Sequence, residues 1–139
     1  MRCLGLDLGT KTLGIAISDK MNMIASPFKV IRWDGEDYNL LFKELDSIIE
    51  NNNITDIALG LPKNMNNSLG FAAERSLKFK DELEKKYNLK IVMIDERLST
   101  VEATNYLLEA DMSREKRKKV VDGVAASIIL DTYLKMKGE

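Results

Sequence analysis

Histidine is absent from this chain of 139 residues, and Cys3 is its one cysteine. Without imidazole, a serine or thiol nucleophile loses its usual general base, and histidine-ligated zinc is excluded. A lone cysteine can form neither an internal disulfide nor a closed thiolate metal site. Nothing therefore argues for an oxidising compartment. No apolar run approaches the roughly 20 residues of a membrane-spanning helix, and no signal or transit peptide is evident. A cytoplasmic protein with no membrane partner is expected. Neither sign of charge dominates: 21 basic residues face 22 acidic ones, for a net charge of −1. A polyanionic partner would then be met by a local basic patch, not by the chain as a whole. If the protein is an enzyme, carboxylates, lysines and metal ions must do the chemistry.

What is present is the composition of a globular protein, 45% hydrophobic and 31% charged. The length suits a single domain over residues 1–139 with a sizeable core. Leu4, Leu6 and Leu8 alternate with Cys3, Gly5 and Asp7, the period of a strand with two different faces. Gly9, Thr10 and Lys11 then permit a turn, and residues 13–18 read as a strand pairing back on the first. A third strand is expected over 23–32, at an edge because of Pro27. Asp34 or Gly35 opens a helix in which Tyr38, Leu41, Phe42, Leu45, Ile48 and Ile49 recur at helical spacing. The run Asn51-Asn52-Asn53 ends it.

Residues 56–61 form a short buried strand. A helix over 68–87 follows, with Ala72, Ser76, Phe79 and Leu83 on one face. Residues 90–94 are nearly all apolar and read as a strand covered on both faces. Ser99 with Glu102 fits a capping box for a helix over 101–110. A polar segment, 111–119, leads into a last helix over 120–137. A hairpin meander followed by two right-handed crossovers gives an α/β fold, a mixed five-stranded sheet in the order 3-2-1-4-5 with helices on both faces. Strands one, four and five run parallel, and their C-terminal ends share the edge where open α/β sheets bind ligands.

Three acids converge on that edge: Asp7 at the end of strand one, Glu96 just past strand five, and Asp122 near the start of the last helix. Each alone has an ordinary explanation. Asp7 fits a solvated hairpin, Glu96 an ion pair with Arg97 or a neighbouring lysine, and Asp122 a helix-dipole partner. Together they would repel one another unless cations neutralise them. Hard divalent cations, Mg2+ or Mn2+, take such oxygen ligands. Two of them about 4 Å apart can clamp the attacking and leaving oxygens of a phosphodiester displacement. The basic cluster Arg114, Lys116, Arg117, Lys118 and Lys119 precedes Asp122. It reads as a solvated loop or, beside such a site, as a clamp on a phosphate backbone.

The stretches LDLGTKTLGIA, GLPKNMNNSLG, DERLSTVEA and VVDGVAAS resemble, in order and over nearly the whole chain, those of the YqgF family. These are the pre-16S rRNA nucleases, also described as Holliday-junction-resolvase-like, with an RNase H-like fold. The resemblance implies that Asp7, Glu96 and Asp122 are catalytic acids and metal ligands. It also implies that Thr10, Lys11, Asn64, Arg97, Ser99 and Thr100 line the site. Asn67 stands where a glycine is common. The implied activity is metal-dependent phosphodiester hydrolysis in 5′-end processing of pre-16S rRNA during ribosome biogenesis. The partner would be structured RNA or a ribosomal particle. Resolution of a DNA four-way junction, or a non-catalytic nucleic-acid-binding module, are the alternatives, and no aromatic stacking motif separates RNA from DNA.

Overall fold

The computed structural model describes residues 2–62, 70–95 and 114–137, with the backbone alone described for 114–123. Strands β1 (Arg2–Leu8), β2 (Thr12–Ser18) and β3 (Ala25–Arg32) lead into helix α1 (Asn39–Asn51). Then come β4 (Ile54–Leu61), α2 (Phe71–Lys86), β5 (Lys90–Asp95) and α3 (Arg114–Lys137). The strands form one sheet in the order β3-β2-β1-β4-β5. The β1–β2 and β2–β3 pairs are antiparallel, and the β1–β4 and β4–β5 pairs parallel. The expected topology is the observed one.

The alternation in β1 divides the core. Leu4, Leu6 and Leu8 pack with Leu13, Ile15, Ile57 and Leu59 under α1 and α2. Cys3, Ala16 and Ala58 instead meet Ala126, Ile129, Leu130, Tyr133 and Leu134 of α3 on the opposite face. One face is thus built of large side chains that fill the space beneath two helices. On the other, β1, β2 and β4 contribute small ones that let a single helix approach closely. Across α1 and α2, the rings of Trp33, Tyr38, Phe79 and Phe42 form a continuous series of contacts, with centroids 5.3 to 6.0 Å apart.

Four expectations need correction. Helix α1 begins at Asn39, not at Asp34 or Gly35, because the Asp34 carboxylate accepts the N–H groups of Glu36 and Asp37 at 2.8 Å. That side-chain turn competes with the helix and delays it. In α2, Ala73 and not Ala72 is buried with Ser76, Phe79 and Leu83. Strand β5 is half-buried, since as an edge strand it has one neighbour and incomplete cover. The basic segment is no loop. Residues 114–119 already belong to α3, and Arg, Glu and Lys are good helix formers. The helix expected over 101–110 lies outside the described residues.

Helix α3 is fixed to the sheet by a buried acid. The Tyr133 hydroxyl donates to Asp56 Oδ2, and Lys137 Nζ donates to the same oxygen at 3.0 Å. Burial pushes the Asp56 carboxyl up, but the hydrogen bonds from Tyr133, Lys137 and Thr55 outweigh it and hold the group below the usual range. Burial and the Asp56 charge push the Tyr133 hydroxyl well up, and the bond to Asp56 raises Lys137. Asp56 therefore contributes stability above the ordinary carboxylate value of about 3.9, lost as pH falls through its lowered value. Tyr133 and Lys137 contribute below about pH 10, and that part is lost as pH rises through their raised values. Tyr133→Phe is expected to cost about 1.5–3 kcal/mol at neutral pH, as for a hydrogen bond to a charged group. Urea unfolding at neutral pH and in acid checks it. The gap between wild type and variant should shrink once Asp56 is protonated.

Candidate active site at the C-terminal edge of the sheet

Asp7 is half-buried and paired in register with Gly14 of β2. Cys3 and Gly5, on the same side of β1, both pack on α3. A strand's period of two puts Asp7 on that face as well. The turn that follows is held from two directions. Gly9 N–H donates to the Thr12 carbonyl at 2.7 Å, while Trp33 Nε1 donates to the Gly9 carbonyl at 3.2 Å and Trp33 N–H to that of Lys11 at 3.0 Å. Gly35, at φ +87°, lies so close that a Cβ there would stand 2.6 Å from the Thr10 carbonyl oxygen. Trp33 is itself buried against the Tyr38 ring. The conformation just beyond Asp7 is thereby tied to the aromatic core.

Thr10 and Lys11 are exposed at this turn. Lys11 Nζ donates to the Asp34 carbonyl oxygen at 2.7 Å, a neutral acceptor that leaves its charge in place. The Asp34 carboxyl is held low by the N–H groups of Asp37 and Glu36, with the Lys11 charge adding to the effect.

The direction of α3 decides what meets Asp7. Tyr133 and Lys137 reach Asp56, which is in register with Cys3. Further back along the helix, Ala126 and Leu130 lie over Gly5. The helix therefore runs antiparallel to β1. Asp122 is one turn before Ala126, a rise of about 6 Å. Asp7 is two residues beyond Gly5, about 6.6 Å. The backbone of Asp122 thus comes level with Asp7. Residues 114–119 continue α3 past the edge of the sheet at the same end, carrying Arg114, Lys116, Arg117, Lys118 and Lys119.

Glu96, Asn64, Arg97, Ser99 and Thr100 lie outside the described residues, as does Lys63. One acid that the sequence reading passed over, Asp95, closes β5 in register with Leu61. Val92 and Ile94 pack toward α3, whereas Ile91 and Met93 pack toward α1 and α2. Asp95 follows the second set and sits on the face opposite Asp7. Among the described residues no group of three or more His, Cys, Asp or Glu side chains is arranged to hold a metal ion. Of the three acids, Asp7 alone has a described side chain.

A mixed five-stranded sheet with an acid at the end of its middle strand and a helix crossing that strand is the arrangement of the RNase H-like fold. In solved structures the likeness extends to RuvC of T. thermophilus in complex with a Holliday junction substrate. The TM-score is 0.59 at 13% identity, covering 98% of this chain and 96% of that one. The Fowlpox virus resolvase, in complex with Holliday junction DNA, matches at TM-score 0.56 and 14% identity over the full length of both. At such identities the likeness establishes the fold.

The sequence goes further. The family described as RuvX, Holliday junction resolvase, matches residues 1–136. A protein of Staphylococcus saprophyticus named "Putative pre-16S rRNA nuclease" is 50% identical over 134 residues, covering 96% of this chain and 94% of that one. One of the same name from Geobacillus kaustophilus is 48% identical over 139 residues, covering 99% of each. The chain belongs to this RuvX/YqgF family.

Proposed function

We propose that this protein is a metal-dependent nuclease that hydrolyses phosphodiester bonds of structured RNA, in 5′-end processing of pre-16S rRNA in the cytoplasm. The observation that carries the reading is the antiparallel docking of α3 on β1, which brings the backbone of Asp122 level with Asp7. The name shared by relatives near 50% identity supplies the substrate class. Glu96 follows Asp95 directly and is the third acid of the proposed set. Carboxylate oxygens are the donors that Mg2+ or Mn2+ prefer, so the residues fit such ions, with Asp7, Glu96 and Asp122 as ligands. When bound, the ions would activate water and neutralise charge on the scissile phosphate. The chain's own groups would orient the substrate: Thr10 and Lys11 from the turn after Asp7, together with Asn64, Arg97, Ser99 and Thr100, which the family resemblance assigns to the site.

The basic start of α3 supports this reading electrostatically. Cations in the first turns of a helix oppose its macrodipole, each at a cost of about 0.3–1 kcal/mol. A bound phosphate backbone would reverse the sign of that term. Replacing Lys116, Arg117, Lys118 and Lys119 with alanine should weaken binding across all sequences alike. Each lost phosphate contact should flatten the log–log salt dependence by about 0.7 for single strands or about 0.9 for duplex. Affinity measured over a salt series, with chelator suppressing cleavage, checks this. Equal slopes for the two proteins would return the run to a solvated helix end.

A DNA four-way junction is the second reading, favoured by the family description. Incubation with 16S rRNA precursor and with a four-way junction, each with Mg2+, Mn2+ or chelator, separates the two. Metal-dependent trimming of the precursor supports the proposal. Symmetric junction nicking with intact precursor overturns it in favour of the resolvase, and no cleavage of either leaves a binding module.

A further inference from the structure

At the opposite end of β1 from Asp7 lies an open cavity of about 340 Å3, lined by Arg2, Lys20, Asn51, Asn52 and Asn53. Its lining has two cations and three amides and no carboxylate. Such a volume is at the lower end of the range for small-molecule sites. Arg2 is held in place at one corner: its Nη1 donates to Asn52 Oδ1 at 3.0 Å, and its backbone N–H to the Asn53 carbonyl at 3.2 Å. Its Nε is shielded and has no hydrogen-bond partner among the described residues, so what the guanidinium can present to the cavity is its charge and its terminal nitrogens.

Lys20 stands exposed on the β2–β3 loop and takes part in no ion pair or hydrogen bond among the described residues. The loop itself is firm, because the Asp19 carboxylate accepts the N–H groups of Met23 and Ile24 at 2.7 and 3.0 Å. That use also turns the nearest acid on this loop inward on its own backbone. At the other wall, Asn53 takes a left-handed conformation at φ +52° to join α1 to β4. The end of α1 carries the negative end of the helix dipole, which Arg2 and Lys20 must outweigh; of its carbonyls, that of Ile48 is covered by the backbone N–H and the Nδ2 of Asn52.

We propose that this cavity is a second anion site, which binds a phosphate group remote from the cleavage centre. Arg2 and Lys20 supply the charge, and the amides of Asn51, Asn52 and Asn53 supply further donors. The five residues from Arg2 to Asp7 separate the two sites by about 17 Å. One phosphate therefore cannot occupy both. The phosphate belongs either to a free nucleotide or to a distant part of the nucleic acid, and the latter source rests on the nuclease reading above.

The test is a two-dimensional amide NMR titration of the isotope-labelled protein with inorganic phosphate, adenosine monophosphate, a short RNA duplex under chelator, and chloride at matched ionic strength. Phosphate and the nucleotide are expected to shift the amides of Lys20, Asn51, Asn52 and Asn53 saturably, while chloride does not. Lys20→Ala and, separately, Arg2→Gln should each weaken that binding about tenfold, the loss of one charge-assisted hydrogen bond. Lys20 is exposed, so its replacement leaves the fold intact. If the duplex shifts the same amides, the ligand is a nucleic-acid phosphate; if only the small probes do, it is a free one. The same titration on Asp7→Asn should be unchanged, so the site stands or falls independently of cleavage. Non-saturating shifts, shifts matched by chloride, or full affinity in Lys20→Ala would overturn the proposal.

Discussion

Asp7→Asn is expected to lower cleavage of the rRNA precursor at least about a thousandfold, some 4 kcal/mol of barrier, while the protein stays folded. The substitution keeps the shape of the side chain and removes its charge. The backbone of β1 remains paired on both sides, with β2 and β4, so the sheet has no reason to yield. On the proposed metal-site reading, what is lost is one anionic ligand for a divalent cation. Glu96→Gln and Asp122→Asn should fall in the same range. If the acids act as one constellation, Asp7→Asn combined with Asp122→Asn should be scarcely worse than either alone, since groups that work as a unit are strongly non-additive. Single-turnover rates, with circular dichroism as the control for folding, make the measurement. A folded, fully active Asp7→Asn protein would sink the metal-site reading, and multiplying effects would show that the acids act separately.

The fold was legible where burial imposes a period. The alternation of leucines with Cys3, Gly5 and Asp7 encodes both faces of the central strand, because large and small side chains there meet different helices. The stripe Leu41, Phe42, Leu45 and Ile48 in α1 was legible for the same reason. Polarity misled in α3. A run of like charge reads as solvent-exposed, but exposure does not distinguish a loop from an outward helical turn, and residues 114–119 are helical. In β5, apolar residues suggested cover on both faces, yet an edge position leaves the strand half open. Least legible were contacts with no local signature. Tyr133 and Asp56 are 77 residues apart, and nothing in either segment announces the other. The cavity formed by Arg2, Lys20 and the asparagines is likewise a product of topology, which gathers the start of β1, the end of β2 and the end of α1.

Gly5 makes the link between packing and chemistry open to measurement. A Cβ at this position would stand 2.5 Å from the Ala126 carbonyl oxygen and 2.6 Å from Leu130 Cβ. Both are fixed to the backbone of α3, so no flexible side-chain tip can give way. Ordinary contact between such atoms is about 3.5–4.0 Å, and the helix must move outward by about an ångström. Two effects of Gly5→Ala then oppose each other. Replacing glycine where the backbone is not left-handed removes unfolded-state freedom and stabilises by about 0.4–1 kcal/mol. Overpacking against a rigid neighbour costs about 3 kcal/mol, and it wins.

The displaced helix is also the one that carries Asp122, a single turn from Ala126. Misplacing a reacting group by about 1 Å can cost about a hundredfold in rate. Gly5→Ala should therefore lose turnover per folded molecule as well as stability. Cys3→Ala, on the same face of β1, removes volume without pushing α3. It should lower stability while keeping turnover. Measuring the unfolding midpoint and the single-turnover rate of both variants separates the two effects. Equal loss of turnover in Gly5→Ala and Cys3→Ala would mean that general destabilisation, not the position of α3, limits the reaction. An unperturbed Gly5→Ala protein would remove the close contact on which the alignment of Asp7 with Asp122 depends.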